Sequence, residues 1–367
     1  MKLNIAVLPG DGIGPEITQQ SVKVLQAVAE RFQHEFTFES APVGAAGIEL
    51  TGDPLPEATL ALCKKSDAVL FGAIGDPKYD NHPEAKIRPE QGLLRLRKEL
   101  GLFANIRPIK AYKSLLEHSP LRPERIDGAD MVIYRELTSG IYYGERSLSE
   151  DEKSATDTCT YTVEEIERIA HLAFKAAQNR RKKITLVDKA NVLETSRLWR
   201  KTVTQLAKKY PDVELDFLFV DNAAMQLILN PKQFDVILTE NMFGDILSDE
   251  ASIIGGSIGL LASASVGDTY ALFEPIHGSY PQATGKGVAN PVASILSAAM
   301  LLEHFNLTKE AQAVIDAVEL SIKSHISTPD IGGVQTTKSV GDVLESLVLE
   351  PGDFNNENLQ YGQMTII

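Results

Sequence analysis

The chain has 367 residues, of which 43% are hydrophobic and 23% charged, and its formal net charge is -14. That length suffices for about two domains with sizeable cores, and the composition is that of an ordinary globular protein. The acidic balance argues against nucleic acid or an anionic membrane surface as the main partner. A small anionic substrate is still allowed, because a few clustered arginines can dominate locally.

Neither the cysteines nor the hydropathy indicates secretion or membrane insertion. The 2 cysteines, Cys63 and Cys159, lie far apart without metal-ligand spacing, which favours a reducing compartment. The N-terminal apolar run is too short for a signal peptide, and no run reaches the ~18 apolar residues of a membrane helix. The nearest approach, residues 253–266, is broken by glycines and serines. We therefore predict a soluble, cytoplasmic protein with no nucleic-acid or membrane partner.

Strands and helices alternate along the chain. A short apolar strand over 3–8 is followed by a helix whose first turn contains Pro15 and Glu16. Further strands are predicted over 67–71, 131–134, 184–187, 215–220 and 235–239, and helices over 163–178 and 197–210. This alternation favours an α/β architecture. The polar, aperiodic residues 351–367 are predicted to form a surface tail.

The first glycine-rich segment, Gly10-Asp11-Gly12-Ile13-Gly14, follows a strand and opens a helix. Its glycine spacing does not match the dinucleotide pattern G-x-G-x-x-G, and the Lys-Ser/Thr pair of a P-loop is absent. We interpret the segment as a tight strand-to-helix turn and not as a direct phosphate site. An ATP-dependent phosphotransferase would need this loop as its phosphate cradle, so that class is disfavoured.

Arginines beside an apolar pair indicate an anion site. A helix from Leu93 onward would place Leu93 and Leu94 on the face of Arg97, so that an aliphatic wall adjoins a guanidinium. Arg107 begins a strand-like segment and Arg135 ends the strand over 131–134. Arginine binds carboxylates through two bonds. Each arginine alone could be a solvated surface charge, but together they fit a substrate with both a carboxylate and a branched alkyl group.

Three aspartates could supply a metal site. Asp245 and Asp249 are four residues apart, and on a helix their carboxylates would face one way and repel each other without a cation between them. Asp221, at the end of a predicted strand, could add a third oxygen for a hard divalent ion. The spacing of the pair is equally compatible with a helix N-cap and a solvated helix face.

Lys189 and Tyr142 are candidates for proton transfer. Lys189 follows the strand over 184–187, where burial and nearby positive charge would make it a usable base. Tyr142 offers a phenolic proton. Taken alone, these two residues are better explained as a surface lysine and a core tyrosine.

Nine segments, read together, resemble the isocitrate/isopropylmalate β-decarboxylating dehydrogenase family over residues 3–349. They are LPGDGIGPE, LLRLRK, FANIRP, RELTSGIYYGE, VDKANV, VDNAAMQ, NMFGDILSDE, FEPIHGS and GKGVANP. The resemblance implies a fold that is not a Rossmann fold, with two α/β domains sharing a sheet. These would be residues 1–102 plus 256–367 and residues 103–255, the second bearing an arm near 143–161 that pairs with a second copy in a homodimer.

The resemblance also implies roles for individual residues. Substrate binding is expected from Glu90, Leu93, Leu94, Arg97, Arg107, Arg135, Asn191, Val192 and Asp221, catalysis from Tyr142 and Lys189, and Mg²⁺ or Mn²⁺ ligation from Asp221, Asp245 and Asp249. Lys189 and Asp221 would reach the active site of the neighbouring subunit. NAD contacts are expected from Ile74, Glu90, His277, Gly278, Ser279, Tyr280, Gln282, Ala283 and Asn290, with the cofactor along 278–290 and near 77–90.

One segment departs from the family pattern. NAD-using members commonly read GSAPDIAGK, in which an aspartate binds the adenosine ribose, whereas Gln282 and Ala283 stand here in place of Asp-Ile. Since neither residue carries the positive charge that NADP recognition usually needs, we still expect NAD.

The expected reaction is oxidation of 3-isopropylmalate by NAD followed by loss of carbon dioxide, a step of leucine biosynthesis. The pair Leu93-Leu94 with Glu90 favours this substrate within the family, because isocitrate-specific members carry polar residues there. The alternatives are a tartrate or D-malate decarboxylating dehydrogenase and a catalytically inactive ligand-binding relative.

Overall fold

The structure, a computed structural model, describes residues 1–80 and 87–350. The predicted tail and residues 81–86 of the predicted cofactor segment lie outside the described residues. The described residues form two compact units: the first comprises those within Met1–Leu96, Gly259–Ala262 and 272–350, and the second Arg97–Ile258 and Ser263–Ala271. The sequence-based division differs mainly at residues 263–271, which belong with the second unit because Ala264, Ser265 and Val266 pair with a strand there.

The first unit contains a parallel sheet in the order β2-β1-β3-β12. Its elements are β1 (Lys2–Gly10), α1 (Gly14–Phe32), β2 (Glu35–Ser40), α2 (Ala45–Thr51), α3 (Glu57–Lys65), β3 (Ala68–Ala73), α4 (Pro77–Asp80), α5 (Pro89–Glu99, the last turn in the second unit), β12 (Ala271–Pro275), α11 (Val292–His304), α12 (Thr308–Lys323) and α13 (Thr337–Leu349). Helix α1 packs on α11 and α13. It buries Ile17, Val24 and Leu25, a spacing that makes one apolar face.

The second unit contains strands in the order β11-β4-β5-β10-β8-β9. Its elements are β4 (Ala104–Lys110), α6 (Pro123–Ile126), β5 (Asp130–Glu136), β6 (Arg146–Leu148), β7 (Ala155–Asp157), α7 (Val163–Gln178), β8 (Lys183–Asp188), α8 (Glu194–Ala207), β9 (Glu214–Phe219), α9 (Val220–Leu229), β10 (Val236–Thr239), α10 (Asn241–Ala251) and β11 (Ala262–Val266). Helices α7 and α8 cover the sheet through a core that includes Phe174 and Trp199, both fully buried.

The parallel part of the second unit gathers its polar residues at one edge. Strands β5, β10, β8 and β9 are mutually parallel neighbours. Their carboxyl ends therefore lie at the same edge of the sheet, which is where ligands bind in open α/β sheets. Arg135 is the penultimate residue of β5, Glu240 follows β10, Lys189 follows β8 and Asp221 comes shortly after β9.

The predicted arm is an antiparallel hairpin of β6 and β7, in which Arg146 pairs with Asp157 and Leu148 with Ala155. All six strand residues are exposed, including Leu148 with 60% of its surface accessible. An isolated two-stranded hairpin is marginally stable in water. This hairpin is therefore a segment that a further surface would stabilise.

The predicted α/β alternation is confirmed, but several boundaries were wrong. The strand predicted over 215–220 ends at Phe219, so Asp221 lies in the first turn of α9 instead of at a strand end. The helix predicted over 197–210 spans Glu194–Ala207. Residues 253–266 form 3-10 turns and β11, and no helix among the described residues is long and apolar enough to cross a membrane.

Candidate active site

Two buried arginines stand side by side on neighbouring antiparallel strands of the second unit. Arg107 lies in the middle of β4 and Arg135 near the end of β5, and they are 6% and 3% exposed. Buried guanidinium groups need hydrogen-bond acceptors. Arg107 donates from Nε to Asn105 Oδ1 at 2.5 Å and from Nη1 to the Ser248 hydroxyl. Arg135 donates from Nε and Nη2 to Asn241 Oδ1 at 3.1 and 2.8 Å.

Helix α10 brings carboxylates to these arginines. Asp245 accepts a hydrogen bond from Arg135 Nη1, and its Oδ1 lies 3.7 Å from Arg107 Nη2. Asp249, one turn later, lies 3.6 Å from Arg107 Nη1. Gly244 allows this approach, because a Cβ there would stand 2.7 Å from Arg135 Cβ. The helix can therefore lie directly against β5.

Tyr142 joins the same cluster. Its hydroxyl donates to Asp245 Oδ2 at 2.9 Å, and its ring lies 5.8 Å from the Arg135 guanidinium carbon. Burial, followed by the charge of Asp245, raises the pKa of Tyr142. The phenol therefore keeps its proton at neutral pH and can act as a donor.

Like charges face one another in the cluster. Burial lowers the pKa of Arg107 to about 9, and repulsion from Arg135 and then from Arg97 adds to it, whereas Asp245 and Asp249 oppose it. Burial raises the pKa of Asp249 despite Arg107. Three guanidinium groups thus face only two carboxylates. The excess positive charge favours binding of an anionic ligand such as a further carboxylate.

Lys189 and Asp221 form a separate pair in the second unit. Lys189 Nζ lies 2.9 Å from Asp221 Oδ2, and this bond lowers the pKa of the aspartate. The Asp221 side chain is 66% exposed. Asn191 and Val192, in the loop after Lys189, are exposed as well. These predicted residues lie together, and within the described residues Asp221 does not join Asp245 and Asp249 in a group that could hold a metal ion.

The predicted metal ligands divide in the same way. Asp245 and Asp249 offer oxygen donors from one helix face, as a hard divalent cation requires, whereas Asp221 is bound to Lys189. Within residues 1–80 and 87–350, no group of three or more His, Cys, Asp or Glu side chains could hold a metal ion. The described residues thus bring two of the three predicted ligands, Asp245 and Asp249, to one helix face, and their oxygen donors are of the kind that a hard divalent cation binds.

In the first unit, the glycine-rich segment is the predicted tight turn between β1 and α1. Gly12 has φ +59, and a Cβ there would stand 2.0 Å from the Ser279 carbonyl oxygen. The adjacent Ile13 N–H donates to that same oxygen at 2.8 Å. The turn therefore packs against the predicted cofactor segment and supports Ser279, which is 6% exposed.

The other predicted cofactor residues differ in what they offer a ligand. Gly278, Tyr280 and Gln282 are exposed, and Ile74 and Glu90 are half-buried. Ala283 is 2% exposed in an apolar cluster with Ile13, Ile17 and Ala289, so its side chain is occupied by packing. A ligand can reach Ala283 only through its backbone.

His277 and Asn290 are already held by the protein. His277 Nδ1 lies 2.9 Å from the Gly278 carbonyl oxygen, which makes Nδ1 the protonated nitrogen, and burial lowers the pKa of the ring. Asn290 donates to Asp330 Oδ2 at 3.0 Å and accepts from the Val292 N–H at 3.0 Å. Both side chains are thus fixed before a ligand binds.

Sequence reasoning missed Asp11, Asn105, Asn241 and Ser248. Asn105 is two residues from Arg107 on β4 and therefore shares its face. Ser248 follows Asp245 by three residues and so shares the acidic face of α10. Periodicity could have found these two, but the partnership of Arg135 with Asn241 joins residues 106 apart in the chain.

Asp11 is a buried carboxylate at the centre of the first unit's loops. It is 6% exposed. Its Oδ2 accepts from the N–H groups of Ala45 and Gly75, each at 3.0 Å, and its Oδ1 from the Ala46 N–H at 3.2 Å. Asp11 therefore ties the first turn of α2 to the segment after β3, which carries Ile74. Burial raises its pKa, and these three bonds oppose the rise.

Comparison with known proteins agrees with this fold. A family model described as isocitrate/isopropylmalate dehydrogenase matches residues 4–344. The chain therefore belongs to the isocitrate/isopropylmalate dehydrogenase family, whose fold it shares. A 3-isopropylmalate dehydrogenase of Bacteroides fragilis is 55% identical over 93% of this chain and 97% of its own length.

More distant relatives span most of the chain as well. A 3-isopropylmalate dehydrogenase of Bacillus subtilis is 51% identical over 97% of this chain and 100% of its own length. A crystal structure of isocitrate dehydrogenase from Methylococcus capsulatus superposes with a TM-score of 0.85 at 34% identity, covering 95% of this chain and 100% of that one. The similarity thus covers most of the chain, including residues of both units.

Proposed function

We propose that the chain is an NAD-dependent, metal-requiring enzyme that oxidises and decarboxylates 3-isopropylmalate to 4-methyl-2-oxopentanoate in leucine biosynthesis. The observation that carries the proposal is the pair of buried arginines, Arg107 and Arg135, held by amide and hydroxyl groups beside Asp245 and Tyr142. Relatives that are 51–55% identical carry this activity in their names. The two cysteines are free, with Cys63 buried, which suits the proposed cytoplasmic setting.

The arginines bind and orient the substrate in this proposal. Arg97, Arg107 and Arg135 hold its carboxylates, which supply the anionic charge that balances three guanidinium groups. Because Asn105 and Asn241 fix two of these groups in advance, little side-chain entropy is lost when the substrate binds.

Proton transfer is assigned to two residues. Lys189 accepts the proton of the substrate hydroxyl during oxidation, and Tyr142 donates a proton to the carbon that loses carbon dioxide. The raised pKa of Tyr142 suits the donor role. Asp221, Asp245 and Asp249 would hold a divalent cation, which would supply Lewis-acid chemistry at the substrate oxygen, and NAD would be the hydride acceptor.

The active unit is proposed to be a homodimer, in which Lys189 and Asp221 complete the site of the other subunit. Support comes from the metal ligands: within the described residues of one chain, Asp221 pairs with Lys189 and does not join Asp245 and Asp249 in a metal-binding group. Large apolar side chains are also exposed on α9 and α10: Met225 (57%), Leu229 (51%) and Ile246 (58%). Helices α9 and α10 contact each other, so a single partner surface could cover all three side chains.

Mixed dimers test the shared site. Subunits with Lys189→Ala and with Asp245→Asn should each retain only a small residual turnover alone. Together they should regain turnover, because one site of the mixed dimer receives an intact lysine and an intact Asp245. Mixing Lys189→Ala with Asp221→Asn is the matched control and should regain nothing, since both residues come from the same donor subunit. Recovery in neither mixture would place Lys189 in its own subunit's site.

Substrate choice tests the proposed function directly. Rates with 3-isopropylmalate, D-malate and tartrate, each with NAD and Mg²⁺ or Mn²⁺, should favour 3-isopropylmalate. Turnover of D-malate or tartrate in preference would assign the chain to that alternative, and no turnover of any of them would make it an inactive relative.

The half-buried pair Leu93 and Leu94 on α5 is proposed to bind the isopropyl group. Replacing both by asparagine should lower kcat/KM for 3-isopropylmalate by roughly 10- to 200-fold and affect D-malate little, because only the branched substrate loses apolar contacts. Leu96→Ala, at a fully buried position of the same helix, is the matched control and should lower stability without changing the substrate ratio. Equal losses for both substrates would make Leu93 and Leu94 ordinary core residues.

NAD is proposed over NADP, with Gln282 beside the ribose. The exposed Gln282 can exchange neutral hydrogen bonds with a ribose hydroxyl, and the buried Ala283 offers no side chain to a phosphate. Since an amide does not repel phosphate as aspartate does, the preference should be softer than in relatives with aspartate. Gln282→Asp should raise the NAD/NADP ratio of kcat/KM by roughly five- to tenfold. An unchanged ratio would place the ribose elsewhere, and a preference for NADP would contradict the assignment.

A further inference from the structure

Glu240, which has no part in the reaction described so far, is connected to Lys189. Glu240 lies between β10 and α10 and is 4% exposed. Its Oε1 accepts a hydrogen bond from the hydroxyl of Ser196, a fully buried residue of α8. The Ser196 oxygen in turn accepts the backbone N–H of Lys189 at 3.0 Å. Two hydrogen bonds thus join the start of α10 to the peptide that carries the proposed base.

The groups around Glu240 determine the direction of the hydrogen bonds in this connection. Asp188 faces Glu240 from β8, and its own charge is compensated by two bonds of 2.8 Å from Arg200. Cys159 and Tyr161 face Glu240 from the segment before α7. Burial, assisted by Asp188, raises the pKa of Glu240 to about 7, while the bond from Ser196 opposes the rise. The Ser196 hydroxyl donates its hydrogen to the Glu240 carboxyl, and its oxygen is therefore available to accept the Lys189 N–H.

The backbone of Lys189 is fixed on both sides. Its N–H is held by Ser196, and its carbonyl oxygen accepts the N–H groups of Val192 and Leu193, each at 2.9 Å. The side chain itself is only partly buried and ends in a salt bridge to an exposed aspartate. The position of the amine therefore depends on the peptide from which it extends.

We propose that Ser196 and Glu240 are positioning residues for Lys189, and that they hold its peptide at the place from which the amine accepts the substrate proton. The inference rests on the role given to Lys189 in the proposed function. Glu240 acts on Lys189 only through Ser196. If these hydrogen bonds only stabilised the fold, their loss would lower the unfolding temperature but would not slow hydride transfer through Lys189. Stability and kinetics of the same variants distinguish the two roles.

The first experiment compares steady-state and single-turnover kinetics of the full-length dimer with 3-isopropylmalate, NAD and Mg²⁺. Ser196→Ala and Glu240→Ala should each lower kcat and the rate of hydride transfer by roughly 10- to 100-fold. Both KM values should stay within about twofold, because the arginines and the cofactor segment are untouched. Glu240→Gln, which keeps an acceptor for Ser196, should restore most of the rate. A loss in KM alone, or no rescue by glutamine, would overturn the assignment.

Thr239→Val is the matched control. The buried Thr239 hydroxyl donates to the Val187 carbonyl oxygen at 2.8 Å, so it joins the same two strands without reaching Lys189. Its loss should lower the unfolding temperature and leave kcat within about twofold. If Ser196→Ala does not fold, Ser196→Cys keeps the volume and weakens both bonds. A fall in kcat with Thr239→Val equal to that of the serine variant would make the effect merely structural.

Two double variants identify the route. Ser196→Ala with Glu240→Ala should be no slower than Ser196→Ala alone, because both act through one hydroxyl. In a Lys189→Ala background, Ser196→Ala should leave the residual turnover unchanged. An equal proportional loss with and without the lysine side chain would contradict the proposal. If the wild-type chain fails to oxidise 3-isopropylmalate, the proposed function fails first, and the same variants are then compared on whichever substrate it turns over.

Discussion

In the second unit, charged side chains from two strands and a helix hold one another, with Arg107, Arg135, Asp245 and Asp249 in direct contact. In the first unit, the loops are held by backbone groups: Asp11 accepts three N–H groups, and the Ser279 carbonyl oxygen accepts the Ile13 N–H. The arrangement in the second unit depends on pairing of opposite side-chain charges. The arrangement in the first unit depends on hydrogen bonds to backbone N–H and carbonyl groups, and so on the backbone conformation of the loops. Substitutions should therefore act on turnover in the second unit and on cofactor affinity in the first.

Asp245→Asn should have the largest effect, because it removes a proposed metal ligand and the counter-charge of two arginines. Turnover should fall by about 100-fold or more. Repulsion between Asp245 and Asp249 alone would predict a small gain in stability, but the contacts with Arg135 and Arg107 reverse the sign. The free energy of unfolding should fall by about 1–2 kcal/mol, since the carboxylate is partly exposed.

Denaturant unfolding and initial rates over a range of Mg²⁺ measure the two effects. Glu250→Gln, a carboxyl-to-amide change on the same helix, is the matched control and should leave turnover unaltered. Near-normal turnover of Asp245→Asn at low Mg²⁺ would remove Asp245 from the site.

Glu240→Gln, in the second unit, should change how the free energy of unfolding depends on pH. The reason is that burial raises the pKa of the Glu240 carboxyl from 4.5 to about 7. Such a group stabilises the fold fully below its unfolded pKa, and that contribution is lost as pH rises through the folded pKa. The amide has no charge to bury. Relative to the wild type, the variant should therefore gain roughly 1–3 kcal/mol of unfolding free energy between pH 5 and pH 8. A difference that is constant with pH would show that Glu240 does not titrate in this range.

Asp11→Asn should have a smaller and different effect. An amide has one acceptor oxygen, so it cannot hold all three N–H groups of Ala45, Ala46 and Gly75. KM for NAD should rise by roughly tenfold while kcat changes little, because the segment that carries Ile74 is no longer held. Calorimetric titration with NAD gives the affinity directly.

Asp67→Asn is the control for Asp11→Asn, since Asp67 accepts one backbone N–H, from Asn4, at the opposite end of β1. It should leave the affinity for NAD unchanged. A fall in kcat with no change in KM for Asp11→Asn would contradict the expectation that substitutions in the first unit act on cofactor affinity.

Local patterns predicted much of the fold. Helix α7 was predicted with its observed ends from the helical pattern over 163–178. The structure shows that Thr162 and Glu165 form a capping box at its first turn. Strands β2 and β12 were not predicted. Every residue of β2 is at least partly exposed, so burial imposes no clear pattern on it, whereas β12 is buried throughout and shows no alternation.

The candidate site was predicted as residue types more than as contacts. Helical spacing indicated that Asp245 and Asp249 share a face. The arginines that neutralise Asp245 lie 110 and 138 positions earlier in the chain, and no local pattern reports such pairing. The environments of Asp11 and Glu240 were missed for the same reason, because burial of a single carboxyl depends on elements far away in sequence.

The bonds made by Asp11 also determine which positions can change over evolutionary time. Asp11 binds the amides of Ala45 and Ala46, and every amino acid except proline has an amide hydrogen. Ala46 is exposed, so other side chains can replace it without disturbing the core. Proline is otherwise favoured at the first position of a helix, which in α2 is Ala45, but here it would remove a bond to Asp11. Mutational tolerance is therefore broad at residue 46, with proline as the exception, and narrow at residue 11.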